Sequence, residues 1–371
     1  MSRSLSARFV IALCSLLALG LLASGCGDDD DSGGGGGDGG SATIALLLPE
    51  NQTPRYESAD RPYFEEKVED LCPECEILYS NATEDASKQQ SQVEAALTQG
   101  ADVLVLDPVD AASAASSVQR AAQQDVPVLS YDRLILGTPD IDVYVSFDNV
   151  RVGELQAESL AKKLKEDGSP KGPIVMINGD PADSNAALFK EGAQKGFDAA
   201  GVEVAREYDT PGWLASNAQN EMQQAITALG KDGFAGVYGA NDDTGGGAIA
   251  AMRSAGIDPE ERPTTGQDAT VAGVQRILVG QQYMTVYKAI KPQASISAEI
   301  AIDLAEGKEV PQSKITDEPD NEAGKVPSIL FEPVAVTKDN IKQTVIADEF
   351  ITVDELCTGQ YEKACEEAGI S

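Results

Sequence analysis

The sequence predicts an α/β protein made of two doubly wound parallel-sheet lobes, and three observations carry that prediction. From Thr43 onward, short apolar runs alternate with longer amphipathic segments. Strands separated by helices imply right-handed βαβ units and parallel sheets. The alternation also runs too long for one small sheet, and 371 residues at roughly 150 per domain suggest two or three domains. Finally, polar residues recur where the strand candidates end, which is where ligands bind in open α/β sheets.

Strands are expected at 43–48, 76–79, 103–106, 128–131, 143–145, 174–177, 202–207 and 236–238. The pair at 128–131 and 143–145 is the most informative. Each is a short run rich in β-branched and aromatic residues and bounded by turn formers, as buried strands are. Helices are expected at 87–99, 111–124, 150–165, 185–200, 214–229 and 244–255, with the change of lobe near Phe147 and Asp148.

The polar strand ends are Arg55, Asp132 with Arg133, the stretch 178–185 that ends in Asn185, Trp213 after Pro211-Gly212, Asn241-Asp242, Gln267-Asp268, and Lys288. A carboxylate next to a guanidinium offers acceptors and a fork of donors together, as a polyhydroxylated ligand requires. Each position taken singly has a plainer reading. Asp132 and Arg133 can satisfy each other in a loop, and Asp183 and Asp242 suit helix N-caps. Gly245 to Gly247 suit close helix packing, and the lone Trp213 can sit in a core.

Composition narrows the function further. Apolar content of 42% supports a sizeable core, and a net charge of −33 argues against nucleic acid and anionic lipid surfaces. No GxxxxGK[ST] or GxGxxG motif supports nucleotide binding. The absence of histidine excludes His-based triads and His-containing metal sites. No metal is expected: the run Asp28 to Asp31 lacks the spaced ligands and glycine of a calcium loop and reads as a solvated spacer.

Arg3 and Arg8 precede an apolar run at 9–22 and then Ala23-Ser24-Gly25-Cys26, the order of a secretory signal too short to span a bilayer comfortably. The ending LLASGC resembles the bacterial lipobox, with Ala23 as its departure, which makes Cys26 the expected lipidated residue after loss of 1–25. That loss removes Arg3 and Arg8 and no acid, carrying the charge from −33 to −35. Residues 26–41 read as a Gly/Asp-rich tether. Of six cysteines, Cys14 leaves with the signal and Cys26 is the anchor. Outside the cytoplasm the remaining four suggest disulfides Cys72–Cys75 and Cys357–Cys365, with a zinc site as the alternative.

The segments SYDRLI, YVSFDNVRVGELQA, DPADSNAALF, the GW of PGWLASNA, ANDDTGGGAIAAM, GQDATVAGVQRI and MTVYKAI resemble the periplasmic sugar-binding proteins of ABC transporters, within them the branch that takes D-xylose. They span 131–290, with weaker similarity to residue 350. The register around Arg55 matches less well, and the linker and C-terminal cysteines lie outside the pattern. The resemblance implies a type I periplasmic binding protein fold with three crossings between lobes, near Phe147, near Tyr287 and at 326–332. Lobe one would comprise 42–147 plus 288–326, lobe two 148–287 plus 327–350, and 351–371 a C-terminal extension. It places ligand-binding roles on Arg55, Asp132, Arg133, Asn185, Trp213, Asn241, Asp268 and Lys288, with no cofactor and no catalytic residue.

The implied ligand is a monosaccharide, D-xylose before other aldoses. The implied partner is an ABC permease, met by a monomer that touches the membrane only through its lipid anchor. A glycoside hydrolase, with Asp132 and Asp268 as its acid and base, is the enzymatic alternative. Cationic and amide neighbours favour ionised acceptors at both positions instead. A transcriptional repressor shares the two-lobed design, but a signal stands where its DNA-binding headpiece would be, and the charge repels DNA. A chemoreceptor-linked sensor remains as a second use of the same binding protein.

Overall fold

The computed structural model describes residues 41–370. The signal segment, Cys26 and the tether up to residue 40 lie outside the described residues. The first lobe begins with β1 (Thr43–Leu48), followed by a π-helical turn (Tyr56–Asp60), α1 (Arg61–Leu71), β2 (Glu76–Asn81), α2 (Ala86–Thr98), β3 (Val103–Leu106), α3 (Ala115–Ala122), β4 (Val128–Tyr131) and β5 (Val143–Phe147). The second continues with α4 (Asn149–Glu166), β6 (Ile174–Ile177), α5 (Ser184–Ala200), β7 (Val204–Tyr208), α6 (Ala215–Leu229), β8 (Gly236–Gly239), α7 (Asp242–Ser254), α8 (Val271–Leu278) and β9 (Met284–Tyr287). The chain then adds α9 (Ile290–Ala305), β10 (Ser328–Phe331), β11 (Val334–Thr337), α10 (Val353–Leu356) and α11 (Glu362–Glu367).

The first sheet is parallel throughout, in the order β10-β5-β4-β3-β1-β2. Its strands are apolar on both faces because helices cover both. Ile44, Leu46, Leu48, Val103 and Val105 face α1 and α9, while the alternate residues Ala45, Leu47, Leu104 and Leu106 face α2 and α3. The second sheet repeats the arrangement with β7-β6-β8: Ile174 and Met176 face α4 and α5, and Val175 and Ile177 face α6 and α7. Residues 263–268 carry its hydrogen bonding from β8 to β9, through Val237 N–H to Pro263 O at 2.9 Å and Val286 N–H to Gly266 O at 3.1 Å. β11 closes the edge antiparallel to β9.

Two details differ from the sequence-based expectation. Residues 328–331 pair in parallel with β5 in the first sheet, whereas the expected partition gave 327 onward to the second lobe. Register decides this: Ile329 meets Val145 and Phe331 meets Phe147. Asp242 does not cap α7. Asn241 does, accepting from Thr244 N–H at 2.8 Å, while the buried Asp242 accepts from Thr270 N–H at 2.7 Å and Gln282 Nε2 at 2.6 Å.

Helices α4 and α5 pack closely enough that a Cβ on Gly153 would sit 1.9 Å from Phe189 O, and one on Gly192 1.9 Å from Val150 O. The structure bonds Cys72 to Cys75 and Cys357 to Cys365, the two local pairs that the spacing suggests.

Candidate functional site

The carboxyl ends of the two sheets face each other across a cleft, so each polar strand end points into it. The cavity between them has about 290 Å3 of space free of protein atoms and is lined by all eight residues singled out in the sequence. From the first lobe come Arg55, Asp132 and Arg133; from the second come Asn185, Trp213, Asn241 and Asp268; Lys288 follows β9 where the chain crosses back. Thr53, Tyr56, Asp183, Phe189 and Gln267 complete the wall.

Asp132 ends β4 with a left-handed φ of 54°. Three hydrogen bonds hold its carbonyl: from Tyr144 Oη at 3.0 Å, Ser146 Oγ at 2.5 Å and, across the cleft, Asn185 Nδ2 at 3.1 Å. Its carboxylate lies 3.2 Å from Arg55 Nη1. Burial alone would raise its pKa, but Arg55, Lys288 and Arg133 outweigh that and hold the carboxyl well below the usual range. Asp132 is therefore a fixed anionic acceptor. Arg55 is less available, because its fork is bidentate to Asp60 at 2.9 and 2.6 Å.

Arg133 joins the lobes. Its Nη1 donates to Pro108 O at 3.2 Å and its Nη2 to Tyr56 Oη at 3.3 Å, both in the first lobe, while Nε forms an ion pair at 3.0 Å with Asp183 of the second. Asp183 caps α5 through Oδ1, which accepts from Asn185 N–H at 2.8 Å. Its Oδ2 also accepts from Trp213 Nε1 at 3.1 Å. Behind Arg133 lies Asp107, fully buried and 3.7 Å from Nε, with neither carboxylate oxygen hydrogen-bonded. Burial pushes its carboxyl up, against the pull of Arg133.

The aromatic wall comes from the second lobe. Trp213 lies over Gly179, where a Cβ would come within 2.0 Å of the indole, and its ring meets Phe189 edge-on at 6.4 Å. Lys288 Nζ is 5.6 Å from the Phe147 ring and 5.7 Å from that of Phe189, and 3.6 Å from Asp268. Asp268 has a left-handed φ of 88° and is tied to β9 by its N–H to Val286 O at 2.9 Å. Asn241 lines the cavity and uses Oδ1 for its helix cap, which leaves its amide NH2 as the end able to donate to a ligand. Gln267 is buried with Oε1 unpartnered.

Sequence reasoning passed over Tyr56 and Phe189, whose residue types read equally well as core. It read Asp183 only as a cap, yet a capping carboxylate has a second oxygen, and here that oxygen faces Arg133 and Trp213. Among the described residues no cluster of three or more His, Cys, Asp or Glu is placed to hold a metal. None of the described helices is long and apolar enough to cross a membrane. The cavity wall carries three cations and three carboxylates. Such a balance leaves no net charge to attract an ion and many directed donors and acceptors.

Comparison with known proteins gives a consistent picture. The chain is 40% identical over 301 residues to the D-xylose-binding periplasmic protein of Escherichia coli, covering 80% of this chain and 87% of that one. It is 32% identical over 290 residues to the multiple sugar-binding periplasmic receptor ChvE of Rhizobium radiobacter, covering 74% and 81%. Among solved structures, it resembles an ABC transporter solute-binding protein from Clostridium phytofermentans with bound β-D-glucose. The TM-score is 0.76 at 29% identity, over 85% of this chain and 99% of that one. A family model described as a periplasmic binding protein domain matches residues 44–309, and the chain belongs to that family.

Proposed function

We propose that this protein is the extracytoplasmic receptor of an ABC transporter, capturing a monosaccharide between its lobes and presenting it to the permease. D-xylose is favoured over other aldoses. The observation that carries this reading is the cavity wall, balanced in charge and drawn from both lobes. Asp132, Asp268 and Asp183 would accept from sugar hydroxyls, while Arg133, Lys288, Asn185, Asn241 and Arg55 would donate to its oxygens. Trp213 would cover an apolar C–H face. The preference for D-xylose rests on the relative from Escherichia coli. The alternative, another aldose such as glucose, rests on the neighbour with glucose bound.

The domain partition belongs to the same proposal. The first lobe would take 42–147, 288–326 and the β10 segment, with its third crossing at Glu332-Pro333 between β10 and β11. Lipidation at Cys26 and a monomeric state are likewise proposed. A hydrolase is disfavoured because Asp132 is held ionised, the opposite of a catalytic acid.

Isothermal titration against D-xylose, D-glucose, D-galactose, L-arabinose and D-ribose tests the reading. Saturable binding of one sugar per chain is expected, tightest for D-xylose. Tighter binding of another aldose would reassign the ligand, and no binding by any would remove the function.

A further inference from the structure

Residues 351–370 lie beyond the stretch matched by the family model, and the resemblance assigned them no role. The structure packs them against the backbone that carries two of the site residues. Ile351, Leu356, Cys365 and Ile370 are buried in one cluster with Ala269, Val274, Ile277, Tyr287 and Val336. Ala269 directly follows Asp268, and Tyr287 directly precedes Lys288. Gln275 Nε2 of α8 donates to Leu356 O at 3.1 Å, binding the segment to the helix that leaves Asp268.

Asp268 and Ala269 both have left-handed φ values, 88° and 48°. Asp tolerates that conformation better than most residues but Ala does not, and such a backbone persists where its surroundings over-determine it. On one side β9 supplies the restraint, through Val286 O to Asp268 N–H and Thr285 Oγ1 to Ala269 N–H. On the other side the restraint is the apolar cluster that the C-terminal segment completes.

The same segment reaches the hinge. Phe350, just before it, has its ring 5.0 Å from that of Tyr287, tilted by 50°, and packs against the cluster of Ala59, Phe147 and Ile290, beside Phe331. Phe147, Tyr287 and Phe331 end β5, β9 and β10, the strands that precede the three proposed crossings.

We propose that the C-terminal segment, tied by Cys357–Cys365 and seated through Phe350, is a positioning element of the sugar site. It holds the backbone of Asp268 and Lys288 and caps the hinge. The disulfide fits this role because two short helices alone would hold their packing weakly, and cross-linking them restricts the alternatives open to the segment. The inference rests on the sugar-receptor reading for its functional consequence and on the packing alone for its structural one.

The test uses the full chain with Cys357→Ser/Cys365→Ser and, separately, Phe350→Ala. Cys72→Ser/Cys75→Ser is the control that removes the other staple. Binding is measured by titration with D-xylose well below each variant's unfolding temperature, and amide hydrogen exchange is followed without sugar. The first two variants should bind about five- to tenfold more weakly and exchange faster at 268–278 and 287–289, with the first sheet unchanged. The control should keep the wild-type affinity. A lower melting temperature with unchanged affinity and unchanged exchange at 268–278 would overturn the proposal, leaving the segment a stability staple. If wild type binds none of the aldoses, the receptor reading falls, while the exchange data still decide whether the segment holds Asp268.

Discussion

Arg133 lies between two buried carboxylates, Asp107 of its own lobe and Asp183 of the other, and its guanidinium also bonds Tyr56 and Pro108. Removing one partner of such a buried group leaves an uncompensated charge, which costs more than the net value of the pair. Arg133→Ala and Asp268→Ala should each weaken D-xylose binding by at least ~10-fold, since about 1.4 kcal/mol is a factor of ten and a charged bond contributes roughly 1.5–3 kcal/mol. Titration of each variant checks this. Trp213→Ala should weaken several aldoses by similar factors, because the ring offers area rather than a bond to one hydroxyl. A large change in preference among the sugars would argue against that role. The eight residues were legible because strand ends in an open sheet converge on one cleft, so polar type and position coincide. Tyr56 and Phe189 were not, because aromatic residues on helices look the same whether they face a core or a ligand.

At the scale of elements, α4 and α5 set where Phe189 and Asn185 stand, and their contact is made by glycines. Gly153→Ala would drive a Cβ into Phe189 O, with backbone on the receiving side and little room to yield. The expected cost is about 1–3 kcal/mol by overpacking, read as a lower melting temperature, with weaker sugar binding as Phe189 shifts. An unchanged melting temperature would mean that the helices sit farther apart. Asn241→Ala should cost about 0.5–2 kcal/mol for the lost cap and also weaken binding, whereas Asp242→Ala should act on stability through Thr270 and Gln282. The strands of both βαβ series were legible from their apolar runs. β10 and β11 were not, because each is four residues long and they are separated only by Glu332-Pro333, so nothing local shows that they belong to different sheets. The cap of α7 was misread by one residue because Asn241 and Asp242 both suit an N-cap, and the partner that takes Asp242 lies 28 residues away.

Across the whole molecule, the cleft brings acids of the two lobes together. Glu84 of the first lobe feels the charges of Glu50, Asp180 and Asp183, and Asp243 of the second those of Asp242, Asp268 and Glu50, with Arg133 and Arg276 respectively as the opposing cations. Burial, reinforced by these like charges, pushes Glu84 and Asp243 each up to about 7. A carboxyl raised in this way keeps its proton in the closed fold at pH values where it would lose it when exposed. Closure is therefore favoured at lower pH and loses that contribution as pH rises through about 7. Sugar affinity should fall as pH rises from roughly 4.5 to 7 and level off above that, and Glu84→Gln with Asp243→Asn should flatten the profile. A profile in the double variant as steep as wild type would assign the dependence to other groups. The central claim is that one sugar is gripped by both lobes. It is tested most directly by small-angle scattering of wild type and Asp268→Ala with and without D-xylose. The account predicts a smaller radius of gyration for wild type once sugar is added, and no change for Asp268→Ala at the same concentration. Wild type shown by titration to be saturated, yet scattering identically with and without the sugar, would contradict it.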